Sequence, residues 1–464
     1  MLIKKKKFNQ YIFLLIISSM IIFNGGNNNL YIQFNFIMIS IFFLSLIREK
    51  NYLAHLRDIF NKNKLSIILF ILFIIFLIFQ IIPLPIKWLG FLSLEKFNLL
   101  DKLEFNANYD SISWNPVNSY FILLNYLSLF LYLIIFKSLF YKKKDIFKFY
   151  YFLVFIGAVA SSVAIYFFLI GNPDFLMVKN SFYKSSATGF FINRTVFSCF
   201  LVLCFFCGIE YLKNIDNYQK DNVNNFFNKI YIRIFILLIT IGIITTFSRL
   251  GNFLFISLIA LHILQALYLN NKKNRFFLIT LILIVLFDVL ILGFYFGSEK
   301  LLQRFYFLEK EIAEYLPAQN ELGLAGGDLK EFAFGLSRGE LTKFAFVEFK
   351  KFMLFGYGGG GFETLLKINF PNLSIKFATH AHSDLIEFMG EFGIIGSILI
   401  FSSLLVACAS KKLFLFKNFL LCYLLIFILL FDFSFHIPIN QLLFILLIAA
   451  DSKQSNIPEY RLKK

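Results

Sequence analysis

Along the chain, long apolar stretches are broken by short polar ones. Runs of the length a helix needs to cross a bilayer, about 20 residues, lie near 8–23, 30–47, 65–86, 120–140, 146–171 and 191–212. Six more follow near 230–247, 252–270, 276–297, 385–408, 413–432 and 436–450. The pattern predicts an all-α polytopic membrane protein of about twelve transmembrane helices, with both termini on one side.

The polar breaks fall into two kinds. Basic clusters at Lys4–Lys7, Arg48–Lys64, Lys142–Lys144, Lys213–Lys229, Lys272–Arg275, Lys411–Lys417 and the tail RLKK all belong to one side, and the positive-inside rule makes that side the cytoplasm. The opposite connections are NGGNNN, a mixed-charge segment from Lys87 to Ser119, a short loop from Asn172 to Gly189, a tight turn at Ser248–Gly251 and a long segment at 298–382. That last segment predicts a large extracytoplasmic loop subdomain between the ninth and tenth spans. No internal repeat accompanies the spans, so an inverted-repeat transporter is not supported.

Composition agrees. Hydrophobic residues make up 59% of 464 and the mean hydropathy is +0.73, far outside the soluble range. A net charge of +17 would suit nucleic acid, but the bases sit in clusters between apolar runs, which suits orientation in a bilayer and predicts no nucleic-acid partner. The 67 Phe reduce the weight of any aromatic stripe. Cys199, Cys204, Cys207, Cys408 and Cys422 fall within apolar runs and read as packing residues. The first run ends in NGGNNN without a small-residue cleavage site and reads as a retained span.

Charged groups bordering the spans are the candidates for chemistry. Topology places Arg194 (GFFINRTVF), Arg249 (TTFSRLGNF) and the pair His380 and His382 (THAHSDLIEF) at the same membrane face, and Arg338 (GLSRGELTKF) lies in the long loop. A single arginine there is as readily a snorkelling or capping residue; three around one space suit an anion, since the guanidinium fork matches phosphate oxygens. His380-x-His382-x-Asp384 has a spacing zinc hydrolases use, but an open catalytic zinc takes three protein ligands and the only later histidine is His436, so no metal is expected. Asp384, Glu387 and Glu391 recur at helical spacing, as on an interfacial helix. GYGGGG at 356–361 lacks the ending of a phosphate loop and reads as a flexible turn.

Taken together, these residues resemble the O-antigen ligase and polymerase-like membrane glycosyltransferases. His382-Ser383, the nine residues 384–392 and Gly393-Ile-Ile-Gly396 match the family's His signature. GFFINRTVF, TFSRLGNF, FGYGGGGFETL and DFSFHIPINQLLF look like further family segments, in the family's order. The resemblance covers about residues 185–450. It sets a catalytic membrane domain there, with the loop 298–382 inside it, after N-terminal transmembrane helices at 1–184 and before a cytoplasmic tail at 451–464.

The resemblance implies a metal-independent, cofactor-free transferase in a bacterial inner membrane. It moves a glycan from an undecaprenyl-diphosphate carrier to lipid A core or another glycan acceptor at the periplasmic face, among membrane lipids. His382 is then the essential His and general base, Arg249 and Arg338 bind the diphosphate, and Arg194 supports them. His380, Asp384 or Glu387 would orient His382. A polymerase or a protein O-oligosaccharyltransferase of the same superfamily differs only in acceptor. A polysaccharide-lipid transporter is the alternative of another class, but mid-span charge is sparse, Asp288 being the clearest case.

Overall fold

The computed structural model describes residues 2–48, 50–104, 108–176, 183–218, 222–269, 283, 338–371, 379–409 and 416–450. The apolar runs fold as helices, the one arrangement that satisfies every backbone polar group inside its own segment in a membrane. Helices α1 (Leu2–Ile22), α2 (Asn29–Ile47), α3 (Lys50–Lys62), α4 (Lys64–Ile81), α5 (Ile86–Leu92), α6 (Leu94–Lys102), α7 (Pro116–Leu139) and α8 (Lys143–Leu169) make up the first half. Then come α9 (Arg194–Tyr218), α10 (Asn222–Thr245), α11 (Arg249–Leu269), α12 (Arg338–Lys351), α13 (Phe362–Asn369), α14 (Asp384–Ala409), α15 (Phe416–Phe431) and α16 (Pro438–Ala449). A two-residue antiparallel ladder joins β1 (Leu84–Pro85) to β2 (Tyr109–Asp110).

Among the described residues eight helices are long and apolar enough to span a membrane, and α15 and α16 are shorter apolar helices. The chain is thus a polytopic all-α membrane protein. The expected span at 276–297, with Asp288, lies outside the described residues apart from position 283, as do residues 298–337 of the long loop and the tail 451–464. Every other expected span coincides with a helix. Two boundaries move for local reasons. The span expected to reach 86 stops at Ile81, because Pro83 and Pro85 cannot donate to a helix and disfavour the helical conformation just before them. The span expected from 120 begins at Pro116, where Asn115 accepts from the Asn118 amide at 3.0 Å as an N-cap.

The connections predicted on the side away from the basic clusters meet at one end of the bundle. Asn24 Oδ1 accepts from the Ile192 amide at 3.0 Å, Ala187 N–H donates to Thr245 O at 2.9 Å, Trp114 N–H to Tyr357 O at 2.9 Å, and Asp384 N–H to Asp432 O at 2.9 Å. At the other end Lys6 pairs with Asp145 at 2.7 Å and Lys137 donates to Asn63 at 3.1 Å. Helix α9 is the central element: Phe200 to Cys207 are all fully buried, which makes Cys199, Cys204 and Cys207 packing residues as expected.

The GYGGGG segment is not a flexible turn. Gly356 to Gly359 are buried, and the segment straps across a break in α14 at Gly393 (φ 61°, ψ −173°). Tyr357 N–H donates to Gly390 O at 2.9 Å and Gly358 N–H to Glu391 O at 3.0 Å. Gln80 of α4 closes the same knot by donating to Phe355 O at 2.6 Å and Glu391 O at 2.8 Å. A Cβ on Gly356 would lie 2.2 Å from Glu391 O, and one on Gly393 would lie 2.3 Å from Leu354 O, so the strap needs glycine on both sides. Gly396 plays a different part: a Cβ there would meet the Phe76 ring at 2.6 Å, so its absence lets α4 close on α14.

Candidate active site

Two arginines are placed by the same device. Asn193 Oδ1 accepts from the amides of Thr195 (2.7 Å) and Val196 (3.3 Å), capping α9 so that Arg194 is its first residue. Ser248 Oγ accepts from the Gly251 amide at 3.3 Å, capping α11 so that Arg249 is its first. The two helix starts touch: a Cβ on Gly251 would lie 2.0 Å from Ser198 Oγ. Arg194 lies over the Tyr183 ring, 5.0 Å from its centroid, and both arginines are half-buried. Arg338 opens α12, whose Thr342 hydroxyl bonds Ala381 O at 2.8 Å and Arg338 O at 2.9 Å and so docks α12 on the histidine segment.

His382 sits just ahead of α14 in the left-handed region, at φ 57°, unusual for a residue with a Cβ. Its ring packs edge-on against Phe433 at 5.0 Å, while His380 stacks on the same ring at 4.7 Å. Burial lowers the His382 pKa to about 3, the Arg338 charge and then His380 adding to the effect against the opposing Glu387. The imidazole is therefore neutral and its Nδ1 is buried without a partner.

The three carboxylates are not on a solvated interfacial face. Asp384, Glu387 and Glu391 are 0%, 1% and 1% exposed, and their partners are His436, His380 and backbone amides rather than His382. Asp384 binds His436 Nδ1 and accepts from the Phe435 amide at 2.6 Å. Glu387 bonds His380 Nδ1 at 2.9 Å and accepts from the Ala381 amide at 2.6 Å. Glu391 accepts from the Gly360 amide at 2.6 Å, which ties the glycine strap to the site. His436 Nε2 stands 3.5 Å from both Glu387 Oε1 and Glu391 Oε2. Burial opposes charge on His436, but the Glu387 and Asp384 carboxylates outweigh it and raise the pKa well above the usual imidazole value. Behind His382, burial raises the Asp432 pKa, opposed first by Arg338, and Ser434 Oγ donates to the Asp432 carboxylate.

His380, Glu387, Glu391 and His436 face a cavity of about 300 Å³ between α7, α13, α14 and α16. Its remaining wall combines amide side chains, such as Asn118, Asn125 and Gln441, with the rings of Phe121, Tyr126 and Phe362. Amides and carboxylates around flat apolar faces suit a ligand that carries hydroxyls on one side and C–H groups on the other. The metal set suggested by the His-x-His-x-Asp spacing is not assembled, since Asp384 points to His436. Ligand atoms of His380, Glu387 and His436 do lie within 4.8 Å of one another, a spacing compatible with a metal ion.

The structure thus brings His380 and His382 onto the Phe433 ring, with Glu387 bonded to His380, Asp384 to His436 and the Arg338 charge acting on His382, and sets Arg194 and Arg249 on two touching helix starts at the same end of the bundle. His436 and Glu391 are the residues that reasoning on the sequence left out of the site. The segment DFSFHIPINQLLF held the signal for His436, and the i, i+3, i+7 spacing of Asp384, Glu387 and Glu391 the signal for Glu391.

Residues 234–401 match the family model described as O-Antigen ligase, which supports an O-antigen ligase-like family for the chain and, with it, glycosyltransferase-type ligase or polymerase chemistry. The matched range contains Arg249, Arg338, His380, His382 and the three carboxylates, and stops short of His436. The curated proteins gave no match.

Proposed function

We propose, from the O-antigen ligase match and the site's geometry, that the chain transfers a glycan from an undecaprenyl-diphosphate carrier to an acceptor at the periplasmic face of a bacterial inner membrane, both termini being cytoplasmic. In this reading it is an O-antigen ligase whose acceptor is the lipid A core. The observation that carries it is the polar cavity walled by amides, aromatic rings, His380, His436 and buried carboxylates, whose His380 shares the Phe433 ring with His382.

The acceptor hydroxyl attacks the anomeric carbon, a new C–O bond forms, and the bond from that carbon to the diphosphate oxygen breaks. Neutral His382 takes the hydroxyl proton. Arg338 and Arg249 stabilise the charge gathering on the leaving lipid diphosphate, with Arg194 supporting them; such fixed charges supply the larger part of the rate where the protein contributes little covalent chemistry. His380 and Glu387 hold the wall of the cavity, and Asp384 holds His436. The chemistry needs no metal: protonated His436 supplies positive charge where a cation would otherwise sit among Asp384, Glu387 and Glu391.

The test is a reconstituted transfer assay with His382→Ala. General-base help is worth about 100- to 10,000-fold, so kcat should fall by that order while the melting temperature is kept. Unchanged transfer by this variant would overturn the proposal. In cells, deletion is expected to strip polymer from the lipid A core while carrier-linked polymer accumulates; single repeats on the core would instead indicate a polymerase.

A further inference from the structure

Beyond its outer end α4 passes into a short helical hairpin, α5 packed on α6, and the hairpin has two apolar faces. Leu84, Leu89 and Ile112 form a small buried core, closed by Phe79 of the last α4 turn and by Phe355 just ahead of the glycine strap. Trp88, Phe91 and Leu94 point away from that core and are 56%, 90% and 57% exposed. An outward row of that size on a helix fixed to the bundle calls for a partner.

The hairpin is firmly held. Lys96 is buried beneath it, donates to Ser111 O at 2.7 Å and Ser113 O at 2.9 Å, and pairs with Asp110 at 3.0 Å. Ser113 N–H in turn donates to Gln80 O of α4 at 2.9 Å, and Trp114 N–H to Tyr357 O of the strap.

Its depth follows from the length of α4. Eighteen residues rise roughly 27 Å at 1.5 Å per residue, close to the hydrocarbon thickness of about 30 Å. After Lys64 every exposed residue of α4 is Leu or Ile, as on a face turned to lipid. Phe79 therefore lies at the boundary between hydrocarbon and headgroups, and Leu89, clustered with it, holds α5 at that level. Tryptophan favours this boundary, and the exposed Lys87 beside Trp88 can extend its ammonium toward the phosphates. The other exposed charges, Lys102 against Glu95, Asp101 and Glu104, leave no basic patch that would select anionic lipid.

We infer that Trp88, Phe91 and Leu94 are seated in the leaflet at the site's end of the bundle, so that α5 and α6 form a membrane foot. Through Phe355 and the bond from Trp114 to Tyr357, the foot ties the glycine strap to that leaflet. The seat is independent of the reaction the site performs.

The test uses tryptophan fluorescence of the full chain in phosphatidylcholine liposomes. The sequence has two tryptophans, Trp88 and Trp114. Trp114 Nε1 has no hydrogen-bond partner among the described residues, so Trp114→Phe isolates Trp88 at little cost; the difference between wild type and Trp88→Phe gives the same signal with Trp114 intact. Lipid brominated near the headgroup end of its acyl chains should quench Trp88 by about half, and lipid brominated near the methyl end much less, as seating at about 5–10 Å requires. The result should be the same in phosphatidylglycerol. Phe91→Asp should weaken the shallow quenching by at least about twofold while the melting temperature in detergent is kept, since Phe91 packs on little protein. Trp88 emission that is red and unquenched would leave the face in water, and emission that is blue and unquenched would put protein over it; either overturns the foot, as does unchanged quenching in Phe91→Asp.

Discussion

His436 Nδ1 is bound to the Asp384 carboxylate while its Nε2 faces Glu387 and Glu391, each at 3.5 Å. One imidazole is thus the hub of three buried acids from one face of α14, joining the loop before α16 to the start of the helix that carries the His382 signature. Its charge is what allows those acids to lie out of water, since buried carboxylates without a counter-charge are costly.

Replacing that hub should be expensive. His436→Gln is expected to lower stability by about 3–5 kcal/mol, the usual cost of leaving a buried charge without its partner. The pH dependence follows from the raised His436 pKa. A folded-state value above the unfolded one of about 6.5 means that the contribution is complete below that pH and is lost as pH rises through the raised value. The wild-type melting temperature should therefore decline on the alkaline side, and His436→Gln should lack that decline. Parallel melting curves for the two proteins would refute the charged hub.

His382 predicts the opposite sign. Its pKa is lowered to about 3, by burial first and Arg338 second, so its neutral form contributes stability above the unfolded value of about 6.5, lost as pH falls toward 3. In catalysis, kcat/KM reports the free enzyme and kcat the donor complex. The acid limb that His382 contributes to kcat/KM should lie well below pH 6.5. A bound diphosphate offsets the Arg338 charge, so the limb in kcat should lie at higher pH than the limb in kcat/KM. Coincident limbs near the ordinary imidazole value would remove His382 from the role of base.

Much of this site is legible in the sequence, and the gaps have physical causes. Hydropathy and the basic clusters locate the helices and their common end, because in a bilayer both signals act over whole segments. The caps Asn193 and Ser248 are local and place Arg194 and Arg249 directly. The pairing of Asp384 with His436 spans 52 residues and depends on how α14, α15 and α16 pack, which no local pattern encodes. The glycine strap misleads for a similar reason: glycine predicts a permitted conformation, and its contact with the break at Gly393 decides whether that conformation is mobile or fixed.

That break yields its own prediction. Gly393 combines φ 61° with an extended ψ of −173°, a region open to glycine alone, and its backbone lies against Leu354 O. Ile394 N–H then donates to Met353 O at 2.8 Å. Gly393→Ala should destabilise by more than about 3 kcal/mol, since the strain of the conformation and the clash add, and release the strap that sets Gly360 on Glu391. Gly396→Ala has ordinary helical backbone and meets side-chain atoms, the Phe76 ring at 2.6 Å and the Phe392 Cβ at 2.8 Å, rather than a backbone carbonyl, so the milder loss should fall there. Thermal melts and limited proteolysis after Phe355 compare the two; equal behaviour would mean that the break is not what holds the strap.

The close approach of His380, Glu387 and His436 makes metal removal the sharpest separation of two chemistries. If His436 is the cation of the cluster, dialysis against a chelator leaves the transfer rate unchanged. Added zinc should inhibit, because imidazole and carboxylate are good ligands for it and the ion must displace the proton that joins His436 to Glu387 and Glu391. Lower pH should relieve that inhibition, since protons compete with the metal for the same nitrogen. His436→Gln should be less sensitive to zinc in ligand-binding measurements that do not depend on turnover. Activity lost to the chelator and restored only by a divalent ion would instead make the cluster a metal centre, and His436 one of its ligands rather than its charge.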